Sequence, residues 1–100
     1  MTNARKIAFD AILKIEKDSA FSNLTLDSFL NRYDIDYRDK SFVSALFYGV
    51  LERKLTLDYN LSLYLDKPLN KLKPEAIVIL RLGAYQILFM DKIPASAAVN

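Results

Sequence analysis

The stretch AIVILRLGAYQILFMDKIPASAAVN, residues 76–100, decides the fold class of this chain. Pro74 stands where a first helical turn tolerates a missing N–H, and Ala76 to Met90 then predict a helix that is apolar on every side except at Arg81 and Gln86. Such a helix is expected to be central and buried. It is shorter than the ~20 residues a bilayer needs, and an arginine in its middle opposes spanning. Asp91 and Lys92 interrupt the pattern, and Ile93-Pro94 restarts a helix whose Ala95, Ala97, Ala98 and Val99 can pack closely on a neighbour. That last helix is expected to be truncated at Asn100, roughly two turns in, so it either docks or frays.

Working outward, the remaining pattern is also helical. Thr2 or Asn3 can cap a first helix running to about Lys17, with Ile7, Ala8, Ala11, Ile12 and Ile15 as one stripe. Phe9 and Leu13 stand off that stripe and need a second neighbour, for which a helix near Leu24 to Arg32 is the expected partner. Asp36, with Asp39 three residues on, predicts the start of a third helix from Tyr37 to about Lys54, whose apolar residues cover a wide arc. Gly49 and Gly83, each inside a helical pattern, cost ~1 kcal/mol relative to Ala and imply close helix crossings. Thr56 is expected to cap a fourth helix, with Leu57, Leu61 and either Tyr64 or Leu65 facing inward, ending near Asp66 before Pro68. KPLNKLKP, residues 67–74, then reads as a basic connector. No long run alternates with period two, and no Asn-Gly or Asp-Gly hairpin turn occurs, so the domain is expected to be all-α.

Composition excludes several kinds of chemistry. One hundred residues make one domain, and 52% hydrophobic content excludes disorder. Without Cys there is no thiol nucleophile, thiolate metal site or disulfide; without His the commonest metal ligand and general base are missing. No metal site and no catalytic residue is visible. No glycine-rich turn follows a strand, so a nucleotide-type cofactor has no seat in this chain. The net charge of +2 is distributed unevenly: residues 33–66 carry four basic and six acidic groups, residues 67–100 five and two. No signal peptide is apparent, because Arg5 and Lys6 lead into an amphipathic helix, and cytoplasm is the default location.

The segments LRLGAYQILFMDKIPASAAVN and FVSALFYGVLERKLTLDY resemble the NusB-like domain that opens the Sun/Fmu (RsmB-type) ribosomal RNA cytosine-5 methyltransferases. The resemblance covers nearly the whole chain, tightly over Phe42 to Tyr48 and Leu80 to Asn100. Stand-alone NusB antitermination factors share the framework, but usually carry Glu at the position of Gln86 and Ile-Asn at Val99-Asn100. The methyltransferase branch is therefore the one implied. The resemblance implies a NusB-like helical bundle of five to six helices, the last truncated. It also implies that residues 1–100 are an RNA-binding domain whose catalytic domain lies downstream. That family methylates cytosine through a Cys thiolate with S-adenosylmethionine, so both the reaction and the cofactor are expected in the missing domain.

The same resemblance gives Arg5 and Lys6 a role against RNA phosphates, with a solvated face partly neutralised by Asp10 and Glu16 as the alternative. Lys67, Lys71 and Lys73 form a second basic cluster without interleaved aromatics, which favours helical backbone over stacked bases, or else a merely soluble loop. Arg53 and Lys54 are further RNA candidates, although the negative end of the third helix explains them equally well. Arg38 and Lys40, beside Asp36 and Asp39, are expected to form local ion pairs. Arg81 is assigned a structural ion pair with Asp39, Glu52 or Asp58. Of six tyrosines, most sit at core spacing, and Tyr33 and Tyr37 are the two expected to be exposed. The partners implied are small-subunit ribosomal RNA, the catalytic domain of the same polypeptide and, as a rival, a ribosomal protein; no membrane is implied. A protein-interaction module and a shortened NusB-type antitermination factor are the alternative functions.

Overall fold

In the computed structural model, residues 3–18 and 22–90 are described. They form five α-helices: α1 Ala4–Asp18, α2 Ser22–Arg32, α3 Tyr37–Glu52, α4 Lys54–Ser62 and α5 Pro74–Tyr85. A 3-10 turn, Leu69–Lys71, precedes α5, and a π-helical turn, Gln86–Met90, extends it. No strand occurs among the described residues, and the architecture is an all-α, NusB-like bundle. The helix expected from Pro94 lies outside the described residues.

The first and fifth helices are both central among the described residues, α5 packing on α1, α3 and α4. Asn3 caps α1, its Oδ1 accepting from the Arg5 N–H at 2.7 Å, and Ile7, Ala8, Ala11 and Ile12 are fully buried at helical spacing. Helices α2, α3 and α5 all pack around α1. Two of these four residues are alanines, and their short side chains let neighbouring helices approach from more than one side. Burying Ile7 and Ile12 contributes about 1.5–3 kcal/mol each.

Helix α3 begins as expected, with the Asp36 side chain accepting from the Asp39 N–H at 2.8 Å. Val43, Leu46, Phe47 and Val50 are buried along it. It ends at Glu52, because Arg53 leaves helical geometry at φ −109° and ψ 21°. Helix α4 restarts at once from Lys54, without a side-chain cap. The cap expected from Thr56 is therefore absent: Thr56 already lies inside the helix, and its carbonyl accepts from Asn60 Nδ2. The helix also stops short of Asp66, at Ser62.

Gly49 and Gly83 part company. A Cβ on Gly49 would run into the ring of Tyr85, so that glycine does mark a tight crossing of α3 and α5. A Cβ on Gly83 would have nothing within 4 Å among the described residues, contrary to the crossing expected there. Helix α5 buries only Val78, Arg81 and Leu82, one stripe at i, i+3, i+4, and leaves Ile79 58% exposed, while Ile87 on the π-turn is 64% exposed. Its all-round apolar character thus does not make it all-round buried. Phe9 lines a surface hollow with Ile79 and Leu82 of α5.

Candidate nucleic-acid interface

Helices α1 and α5 run antiparallel. Arg5 at the start of α1 donates through Nε to Gln86 Oε1 at 2.7 Å, while Lys17 at its end pairs with Glu75 at 3.4 Å. Twelve residues of α1 separate the two contacts, about 18 Å of helix. This spacing decides how the candidate cations are arranged, because Arg5 and Lys6 sit at one end of the bundle while Lys73, next to Glu75, sits at the other.

Four of the seven candidates already have partners inside the protein. Arg5 lies over the Phe42 ring, 5.2 Å from its centroid, besides bonding Gln86. Lys6 pairs with Asp10 at 2.7 Å. Arg53 stacks over Phe89 at 4.3 Å, on the π-turn that also receives Arg5. Lys54 reaches Glu16 at 3.2 Å. Lys67, Lys71 and Lys73 are exposed and pair with no carboxylate among the described residues. The 3-10 turn holds this cluster in shape, its Lys71 N–H donating to the Pro68 carbonyl at 3.0 Å. Arg38 and Lys40, expected to pair locally, make no ion pair among the described residues. The Asp36 carboxylate is engaged in capping instead.

Arg81 stands apart from these surface cations. Its Nε and Nη2 bond the two carboxylate oxygens of Asp58 at 2.7 and 2.9 Å, and its Nη1 bonds Glu16 Oε1 at 2.7 Å. One guanidinium thereby ties α1 and α4 to α5. Burial pulls its pKa down, and the hydrogen bonds and charge of Asp58 and then Glu16 outweigh that, leaving it above the ordinary value. With Lys54 also on Glu16, the four charges cancel. Asp58 was one of three carboxylates the sequence offers. Glu16 went unforeseen as a partner, though its place four residues after buried Ile12 is a legible signal that it borders the core.

The tyrosines are distributed differently from the expectation. Tyr37 is 85% exposed, but so is Tyr64, and Tyr59 and Tyr48 are exposed too, whereas Tyr33 is half-buried. Tyr85 stacks on Phe89 at 5.5 Å between centroids. One exposed aromatic side chain, Tyr64, lies three residues before Lys67 in the chain. No three acidic side chains among the described residues gather as a metal ion would require, and no described helix is long and apolar enough to cross a membrane.

Comparison with known proteins places this architecture. The NusB family profile matches residues 2–100. The chain is 38% identical over 99 residues to a probable ribosomal RNA small subunit methyltransferase B of Bacillus subtilis, and 35% identical over 100 residues to that of Synechocystis. These matches cover 99% and 100% of the chain, which spans 22% of the length of either relative. It is also 30% identical over 97 residues to the transcription antitermination protein NusB of Shewanella oneidensis, covering 97% of the chain and 72% of that protein. No solved structure gives a significant match. By the match along almost its whole length, the chain belongs to the NusB family.

Proposed function

We propose that residues 1–100 form an RNA-binding domain that positions small-subunit ribosomal RNA for an S-adenosylmethionine-dependent cytosine-5 methyltransferase domain further along the same polypeptide. The observation that carries this reading is the gradient of likeness. Identity is 38% and 35% to the two methyltransferases named above and 30% to the antitermination protein. The cofactor belongs with the catalytic domain. Of the two glycines here, Gly49 is closed off by Tyr85 and Gly83 lies within a regular helix, so neither makes a loop that could cradle a nucleotide. The domain supplies affinity and orientation, in the cytoplasm, through backbone phosphates met by Lys67, Lys71 and Lys73 and, where their internal partners yield, by Arg5, Lys6, Arg53 and Lys54.

A gel-shift titration with a small-subunit ribosomal RNA hairpin at several salt concentrations tests the reading. Binding that weakens linearly in log affinity against log salt is expected, since each neutralised phosphate releases counterion. Undetectable or salt-independent binding overturns it. A second reading, docking onto the catalytic domain, has its own support in α4. Leu55, Tyr59 and Leu63 recur at i, i+4 and i+8 and are 84%, 66% and 60% exposed, an apolar stripe of the kind that marks interfaces.

A further inference from the structure

The cations of the bundle are held in two chemically different ways. Lys6, Lys14, Lys17 and Lys54 each meet a carboxylate, and buried Arg81 meets two. Arg5 and Arg53 meet only uncharged groups among the described residues, and both meet the π-turn: Arg5 bonds the Gln86 amide oxygen and lies over Phe42, while Arg53 lies over Phe89. A carboxylate cancels the charge it orients. An amide oxygen orients the guanidinium and leaves the charge in place. Helix stability disfavours a cation at position 5, because the first turn of α1 carries no acidic residue and Arg5 adds its charge to the positive end of the helix dipole.

Both ends of the half-buried Gln86 side chain are engaged. Its Nε2 donates to the Leu82 carbonyl at 3.1 Å, which turns the amide so that Oε1 accepts from Arg5 Nε at 2.7 Å. A glutamate here would also accept from Arg5, but it would set an anionic oxygen against the Leu82 carbonyl and neutralise the guanidinium. The π-turn that presents Gln86 is a rare departure from α-helix that recurs at functional sites.

We propose that Gln86 is the positioning residue for Arg5 in RNA binding, holding the guanidinium at the start of α1 with its charge uncancelled, for transfer to a backbone phosphate. The inference rests on the RNA-binding reading above and adds to it a residue that carries no charge of its own. When a phosphate takes the guanidinium, a neutral hydrogen bond gives way to a charge-assisted one, roughly twice as strong. Lys6 and Lys54 must instead leave Asp10 and Glu16, exchanging one anion for another. Arg5 therefore yields to RNA more readily than either lysine.

The test compares the 100-residue chain with Gln86→Glu, Gln86→Leu, Arg5→Ala and the double variant of Arg5→Ala with Gln86→Glu, by thermal melting and by gel shift on a small-subunit ribosomal RNA hairpin over a salt series. Gln86→Glu keeps the shape of the side chain, so Tm should change little. The slope of log affinity against log salt should fall by about 0.7–0.9, one phosphate contact, equivalent to about five- to eightfold in affinity at 0.1 M salt. In the Arg5→Ala background the same substitution should not alter the slope further. Gln86→Leu removes the acceptor without cancelling the charge, so the slope should be retained. A slope unchanged by Gln86→Glu, or lowered equally by Gln86→Leu, overturns the proposal while leaving the RNA-binding reading intact. So does an equal loss with and without Arg5, the result of long-range repulsion by the new carboxylate. A parent chain that binds no RNA overturns both.

Discussion

Arg81 shows why a charge can be embedded in a stretch as apolar as VILRLG. The guanidinium makes three hydrogen bonds to two carboxylates, and its side chain is 7% exposed while those of Asp58 and Glu16 remain about a quarter exposed. Arg81→Met should therefore lower stability by about 1–3 kcal/mol, less than for a fully buried pair, since water can partly solvate the two carboxylates left behind. Thermal unfolding measures it; RNA affinity should change less than Tm, and the opposite order would assign Arg81 to the interface. Gly49 offers a second check at the same scale. Its Cβ would displace the Tyr85 ring from its stack on Phe89, so Gly49→Ala is expected to destabilise by about 1–3 kcal/mol despite the better helix propensity of Ala. In a Tyr85→Ala background the same change should cost less or reverse sign, and additivity of the two substitutions would refute the contact.

At the level of elements, periodicity located every helix among the described residues, and the Asp36 cap was readable because its side chain acts within three residues. What escaped reading depended on contacts distant in sequence. The break at Arg53 coincides with a guanidinium drawn onto Phe89, thirty-six residues away. The exposure of Ile79 and Ile87 reflects which faces find neighbours among the described residues, whereas hydropathy counts only which faces could use them. The cation cluster was legible as a list, but its partners Gln86, Phe42 and Glu16 were not, since none lies near its cation in sequence. The N-terminal turn of α5 carries a testable electrostatic signature. Glu75 has its pKa held below the ordinary 4.5 by its own backbone N–H and then by Lys17. A carboxyl depressed on folding adds stability above its unfolded pKa, and that increment is lost as pH falls from about 4.5 through the lower folded value. The Glu75 side chain is about half exposed, so the effect is small and salt-sensitive. Glu75→Gln should flatten the decline of Tm below pH 4.5 and leave the curve near pH 7 parallel to that of the parent; an unchanged acid limb would show the pair to be idle.

For the whole molecule, the antiparallel α1–α5 pairing is what separates the cations into two ends, and it makes the RNA-facing end an experimental question with a quantitative answer. A lysine free of internal partners releases counterion when it meets a phosphate, whereas an arginine already bonded to Gln86 and lying over Phe42 must first give up those contacts. Replacing Lys67, Lys71 and Lys73 together with Ala should therefore reduce the slope of log affinity against log salt by about 2 to 3, at ~0.7 to 0.9 per phosphate contact. Replacing Arg5 and Lys6 should reduce it by less than half as much. With Tyr64 exposed three residues before Lys67, Tyr64→Ala provides the complementary arm: if bases stack there, affinity falls by about 1–3 kcal/mol without a change in salt slope, and if only duplex backbone is held, affinity is unchanged. The lysine triple variant leaves the core intact, so an unaltered slope would move the RNA contact to the α1 end, where it would have to compete with Gln86, Asp10 and Phe42 for the same cations.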